Sequence, residues 1–178
     1  MILAVDVGNT NIVLGGYRDG VLLFTLRISS DMNKTSDEFA VQIKSMLSMQ
    51  NVTPSDIEGS VISSVVPPLT FLLTNALKTL TGQETLVVGP GIKTGINIRI
   101  DNPAQLGSDL LVDSVAAAAY YPLPAIVIDM GTATTLGVID RTKAMIGGAI
   151  MPGVRVSVNA LSNRTAQLPY ISIQPPKK

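Results

Sequence analysis

Ile126-Val127-Ile128-Asp129-Met130-Gly131-Thr132-Ala133-Thr134-Thr135 repeats a device already present near the start of the chain, Ile2-Leu3-Ala4-Val5-Asp6-Val7-Gly8-Asn9-Thr10-Asn11. Each is an apolar strand, an aspartate at its end, a glycine with a hydroxyl residue, and a second apolar run. A carboxylate at a strand tip suits a hydrated cation. The glycine lets backbone N–H groups approach a phosphate closely, and Thr or Asn adds a polar contact. The repetition predicts a duplicated α/β fold that grips a nucleotide phosphate chain between its halves.

Outward from the first copy, residues 2–7, 11–17 and 21–28 read as three strands, with Asp19-Gly20 as a hairpin signal. Thr35 and Ser36 offer N-caps, Asp37 and Glu38 fill a first turn, and Phe39, Ile43, Met46 and Leu47 share one helical face. A turn at 54–58 leads into a buried strand at 59–66. Pro67-Pro68 is expected to stop it, with a helix over 69–80, a short strand at 85–88 and a loop at Gly89-Pro90-Gly91. Residues 97–106 resemble a linker, and 108–121 a helix rich in Ala. Strands follow at 125–130, 134–140 and 144–151, then a helix over 154–162 and an extended stretch at 169–173. The expected division is a first domain over 1–115 and a second over 116–178. As a duplicate, the second is short by roughly 70 residues or more, judged against ordinary domain sizes.

Composition narrows the chemistry. Thirteen basic residues balance thirteen acidic ones without a like-charge run, which argues against nucleic acid as the main partner. There is no Cys and no His, so disulfides, thiolate nucleophiles, Ser-His triads and ordinary zinc sites are excluded. Acid–base work falls to Asp, Glu, Lys or Tyr. The apolar N-terminus lacks a basic flank and carries Asp6, unlike a signal peptide. The uncharged stretch 115–128 is broken by Pro122 and Pro124, so a cytoplasmic protein without a membrane span is expected.

Each candidate site has a plainer structural reading beside it. Asp6-Val7-Gly8-Asn9-Thr10 is a phosphate hairpin or an ordinary turn. The Thr cluster at 132–135 suits phosphate or cation contacts, or a strand of high β-propensity. Asp109, behind Gly107-Ser108, is a helix-capping acid stabilised by the N-terminal dipole, or a base that orients and deprotonates a substrate hydroxyl. Asp113 competes for that role one turn later. Gly147-Gly148-Ala149-Ile150-Met151-Pro152-Gly153 is close backbone packing or a ligand wall. Arg164 is a solvated charge or an anion contact.

Taken in order and spacing, these strings resemble the type III pantothenate kinases of the acetate and sugar kinase/Hsc70/actin superfamily. The motifs are Asp6-Val7-Gly8-Asn9-Thr10, Val65-Val66-Pro67, Asp101-Asn102-Pro103, Gly107-Ser108-Asp109, Asp129-Met130-Gly131-Thr132-Ala133-Thr134-Thr135, the glycine-rich run ending at Gly153, and Thr165-Ala166-Gln167-Leu168-Pro169. The resemblance implies two ribonuclease-H-like (actin-like ATPase) domains with mixed sheets and a homodimer. It implies ATP-dependent phosphorylation of pantothenate, the opening step of coenzyme A synthesis. Asp6, Val7, Gly8, Asn9, Thr10, Asn11, Ile12 and Val13 would form the first phosphate hairpin, and Thr132 would contact ATP. Asp109 would be the catalytic base within a substrate loop of Gly107, Ser108, Asp109 and Leu110. Asp129, with Asp6, would serve metal binding: Mg²⁺ with the nucleotide and a monovalent cation, K⁺ or NH4⁺.

Two departures accompany the resemblance. Leu110 stands where the family usually has an Arg that contacts substrate, and Ile100 stands where it tends to have Tyr. Losing a charged hydrogen bond costs about 1.5–3 kcal/mol, or about ten- to a hundredfold in affinity. The family's later Gly/Thr segments also lie beyond position 178, so the second sheet is expected to keep an uncovered face and an open edge. These departures frame the rival reading, a catalytically impaired nucleotide-binding relative acting as a binding or regulatory module.

Overall fold

The computed structural model describes residues 1–165 and 167–174; Ala166 of the Thr165-to-Pro169 motif and the terminal Pro175-Pro176-Lys177-Lys178 lie outside them. The chain divides into two compact units, Met1–Ile92 with Gly107–Val112, and Lys93–Leu106 with Asp113 onward. The segment 93–106 groups with the second unit.

In the first unit, β1 (Ile2–Val7), β2 (Asn11–Arg18) and β3 (Val21–Ser29) form an antiparallel meander. β4 (Gly59–Ser64) joins β1 in parallel and β5 (Thr85–Val87) joins β4, giving the order β3-β2-β1-β4-β5. A parallel neighbour needs a long crossover, and α1 (Ser36–Ser48) lies within the one that joins β3 to β4. Period-two alternation puts Leu3, Val5 and Val7 in the core and leaves Ile2 and Asp6 exposed. Against them pack Phe39, Ile43 and Leu47 of α1 and Leu69, Leu73 and Leu77 of α2 (Pro67–Thr81), each set spaced four residues apart on one helical face.

α2 begins at Pro67, not at Leu69. Proline lacks only an N–H that the first turn would leave unbonded, and its φ is already helical, so the pair that ends β4 also starts the helix. Gly82 closes it in the left-handed conformation, its N–H donating to Lys78 O at 2.8 Å.

Thr35 and Glu38 form a reciprocal capping box on α1: the Glu38 N–H donates to Thr35 Oγ1 at 3.3 Å and the Thr35 N–H to Glu38 Oε2 at 2.7 Å. The Thr35 backbone and then its hydroxyl hold the Glu38 carboxyl below its ordinary value. A depressed folded-state pKa contributes stability above the unfolded value, about pH 4.3, that is lost as pH falls through the folded one. The thermal midpoint of Glu38→Gln should therefore lie below wild type at neutral pH, and the gap should narrow under about pH 4.3. A gap constant from neutral to acid pH would assign the effect to shape instead of charge.

In the second unit, β7 (Ala125–Met130), β8 (Ala133–Ile139) and β9 (Ala144–Pro152) repeat the meander, and β6 (Asn97–Ile98) pairs in parallel with β9. The order is β6-β9-β8-β7. β6 lies inside the stretch whose polarity suggests only a linker; a two-residue strand leaves no period to read. α3 (Ser108–Tyr120) gives its first turn to the first unit and the remainder to the second. There Ser114 Oγ lies 3.6 Å from Met145 Sδ, beside buried Ala117, Ile139 and Ala144. α4 (Val154–Arg164) follows β9. By register Ile126, Ile128, Met130 and Met151 share the opposite sheet face, and all are exposed. Among the described residues β7 pairs only with β8 and so lies at an edge of this sheet. Among the described residues, no helix is long and apolar enough to cross a membrane.

Candidate active site

Both units close their first hairpin in the same way. Asp6 sits opposite Val13 and Val7 opposite Ile12, leaving residues 8–11 as the turn. Asp129 sits opposite Thr135 and Met130 opposite Thr134, leaving 131–133, one residue fewer. The aspartates are thus equivalent, each one pair before the turn. In both turns the glycine N–H folds back on the chain: Gly8 donates to Asn11 O at 3.0 Å, and Gly131 to Ala133 O at 2.9 Å.

The residue just after the third strand then ties each turn down. The Ser30 N–H donates to Thr10 O at 3.0 Å, and the Gly153 N–H to Thr132 O at 3.0 Å. Ser30 adds a bond from its hydroxyl to Gly8 O at 2.6 Å. The shorter second turn has no such room. A Cβ on Gly153 would collide with the carbonyl oxygens of Gly131 and Thr132 and lie 2.9 Å from the Thr132 carbonyl carbon. Glycine at 153 is therefore a steric demand of the turn, and this separates it from Gly147 of the same run, which faces open space.

Within the first hairpin, Val7 and Ile12 are fully buried and anchor the turn, while Asp6, Asn9 and Thr10 are exposed at its tip. Gly8, Asn11 and Val13 are half-buried. Asp129 and Thr132 are exposed in the second turn, and Thr135 is buried behind it.

The β1–β4 register sets Asp6 opposite Ser63 and Val7 opposite Ser64. The Ser63 hydroxyl in turn reaches Ser108 Oγ at 3.3 Å, so the start of α3 is brought to the same strand ends as Asp6. Gly107, Ser108 and Asp109 are half-buried and Leu110 is buried. Asp109 Oδ1 accepts the Leu110 N–H at 2.8 Å and folds back over Gly107, where any side chain would displace it. The role of Ser63 and Ser64 is one that sequence reading missed. Its only trace is a pair of serines closing an apolar strand, with a partner more than forty residues away.

Among the described residues no three carboxylates gather as a metal cluster. What the second turn offers instead is carbonyl oxygens of Gly131 and Thr132 converging beside Gly153, with Asp129 Oδ2 3.7 Å from the Cβ position of Gly131.

The type III pantothenate kinase family model matches residues 2–178. A Listeria innocua type III pantothenate kinase is 47% identical over 173 residues, covering 97% of this chain and 67% of the relative. One from Halalkalibacterium halodurans is 46% identical over 178 residues, covering 100% of this chain and 70% of the relative. The chain thus spans about two thirds of the length of these relatives. Among solved structures, a Campylobacter jejuni protein described as a Baf family transcriptional activator aligns with a TM-score of 0.53 at 20% identity, over 99% of this chain and 68% of its own. A Sinorhizobium meliloti protein described as a 2-dehydro-3-deoxygalactonokinase aligns with a TM-score of 0.55 at 14% identity, over 93% of this chain and 58% of its own. These two likenesses bear on fold alone, and they agree with the mixed sheets in giving a ribonuclease-H-like, actin-like architecture. The motifs, their strand-tip placement and the relatives lead to one statement: the chain belongs to the type III pantothenate kinase family.

Proposed function

We propose that each strand-tip turn is a phosphate-binding element for ATP and that Asp109 activates the pantothenate hydroxyl. Membership of the family makes the chain a kinase, and its reaction is ATP-dependent phosphorylation of pantothenate. The observation that carries the residue assignment is the doubled turn: the same aspartate, the same folded-back glycine and the same tie from the third strand, in both units.

In this reading the backbone around Gly8, Asn9, Thr10 and Asn11 and around Gly131 and Thr132 neutralises phosphate charge. Residues Gly107, Ser108, Asp109 and Leu110 form the loop that receives pantothenate. Asp109 takes the proton of the terminal hydroxyl as its oxygen bonds to the γ-phosphorus and the bond to the β,γ-bridging oxygen breaks, leaving ADP. Asp6 would face nucleotide-borne Mg²⁺, and Asp129 with its neighbouring carbonyls would hold K⁺ or NH4⁺. These cations supply charge neutralisation on the phosphates. A cytoplasmic homodimer completes the reading.

The test is ADP release from ATP and Mg²⁺, with and without pantothenate, in potassium and in sodium. Pantothenate-dependent release, faster in potassium, supports both assignments; release indifferent to pantothenate sinks the substrate. Leu110→Arg should lower the KM for pantothenate by about ten- to a hundredfold and leave that for ATP unchanged, the return expected from one charged hydrogen bond. An unchanged pantothenate KM would assign position 110 to packing, consistent with the burial of Leu110.

A further inference from the structure

The hydroxyl of Ser108 is saturated. It accepts the Ser64 N–H at 3.0 Å, donates to Ser64 O at 2.8 Å, and receives the Ser63 hydroxyl at 3.3 Å. A serine hydroxyl has one proton and two lone pairs, and all three are used on the end of β4. The strand end is held from the other side as well. Ser64 Oγ accepts the Thr70 hydroxyl of α2 at 2.6 Å and the Val66 N–H at 3.1 Å.

We propose that Ser108 is a positioning residue: it clasps the start of α3 to the tip of β4 and thereby sets where the adjacent Asp109 carboxylate points. This rests on the reading of Asp109 as the base. The clasp acts on Asp109 because the two are consecutive and because, among the described residues, that carboxylate is held only locally. Its Oδ1 accepts the Leu110 N–H, and Gly107 leaves the space beneath it open. The clasp also fixes the reference frame, since Ser63 and Ser64 face Asp6 and Val7 across the parallel ladder. A hydroxyl with no remaining capacity has none for pantothenate, so its removal should be felt in the rate and not in substrate binding.

The experiment uses Ser108→Ala, Ser108→Thr and Ser63→Ala in the full chain, read by steady-state kinetics and by amide hydrogen exchange at Ser64. Ser108→Ala is expected to expose the Ser64 amide to faster exchange and to lower kcat about tenfold or more, with both KM values within about twofold, as small misplacements of a reacting group do. Ser108→Thr keeps the hydroxyl and should recover most of the rate; Ser63→Ala, which removes one bond of three, should give a smaller fall. A raised pantothenate KM at constant kcat in Ser108→Ala would make the side chain a substrate contact and overturn the proposal. So would an unchanged kcat, or unchanged exchange at Ser64. If Ser108→Ala does not fold, Ser63→Ala decides by the same kcat-against-KM split. Full turnover in Asp109→Asn would instead overturn the base assignment, and positioning with it, while exchange at Ser64 still reports whether the clasp forms.

Discussion

Asp109→Asn is expected to lower kcat for pantothenate phosphorylation by about 10²–10⁴-fold while leaving the KM for ATP within about twofold, the range a general base contributes. The amide has nearly the shape of the carboxylate, and its oxygen can still accept the Leu110 N–H that Asp109 Oδ1 accepts at 2.8 Å. The start of α3 should therefore survive. What is lost is a group able to take a proton, together with a negative charge near the helix N-terminus worth about 0.3–1 kcal/mol. The thermal midpoint should accordingly fall only slightly. A variant with wild-type turnover would remove Asp109 from the chemistry. A variant that melts far below wild type would return it to the capping role, which spacing alone favours over the catalytic one.

Gly153→Ala should cost about 1–3 kcal/mol of stability, as overpacking does, and raise the KM for ATP by about tenfold or more. The atoms its Cβ would meet are the backbone oxygens of Gly131 and Thr132. A crowded side-chain tip can swing aside; a carbonyl inside a three-residue turn cannot move without moving the turn. The Gly153 N–H bond to Thr132 O and the bond from the Gly131 N–H to Ala133 O would both be strained. Gly147→Ala serves as the comparison, since its Cβ enters open space, and it should change ATP binding little. Equal behaviour of the two variants would show that the second turn does not bind nucleotide through the geometry described here.

The two predictions differ in how far the sequence could have reached them. Asp109 is visible as an acid behind Gly107-Ser108 at the head of an apolar helix, and the family resemblance supplies its role. Gly153 is visible only as the last glycine of a glycine-rich strand end. Its importance comes from the second hairpin being one residue shorter than the first, a difference that depends on which residues pair.

What the sequence determined by itself is what local pattern controls. Alternation of apolar residues drew the strands around Asp6 and Asp129, the spacing of Phe39, Ile43 and Leu47 drew α1, and the repeated Asp-x-Gly strings disclosed the duplication. Each of these signals lies within one element, where a period of 2 or 3.6 residues records which face is buried. What only the tertiary structure decided are meetings between distant segments. These are Ser108 saturating its hydroxyl on Ser63 and Ser64, Ser30 and Gly153 tying equivalent turns, and two residues at 97–98 finding β9. No periodicity encodes such contacts. They arise when the strands take register and bring hydrogen-bonding groups, far apart along the chain, within 3 Å or so of one another.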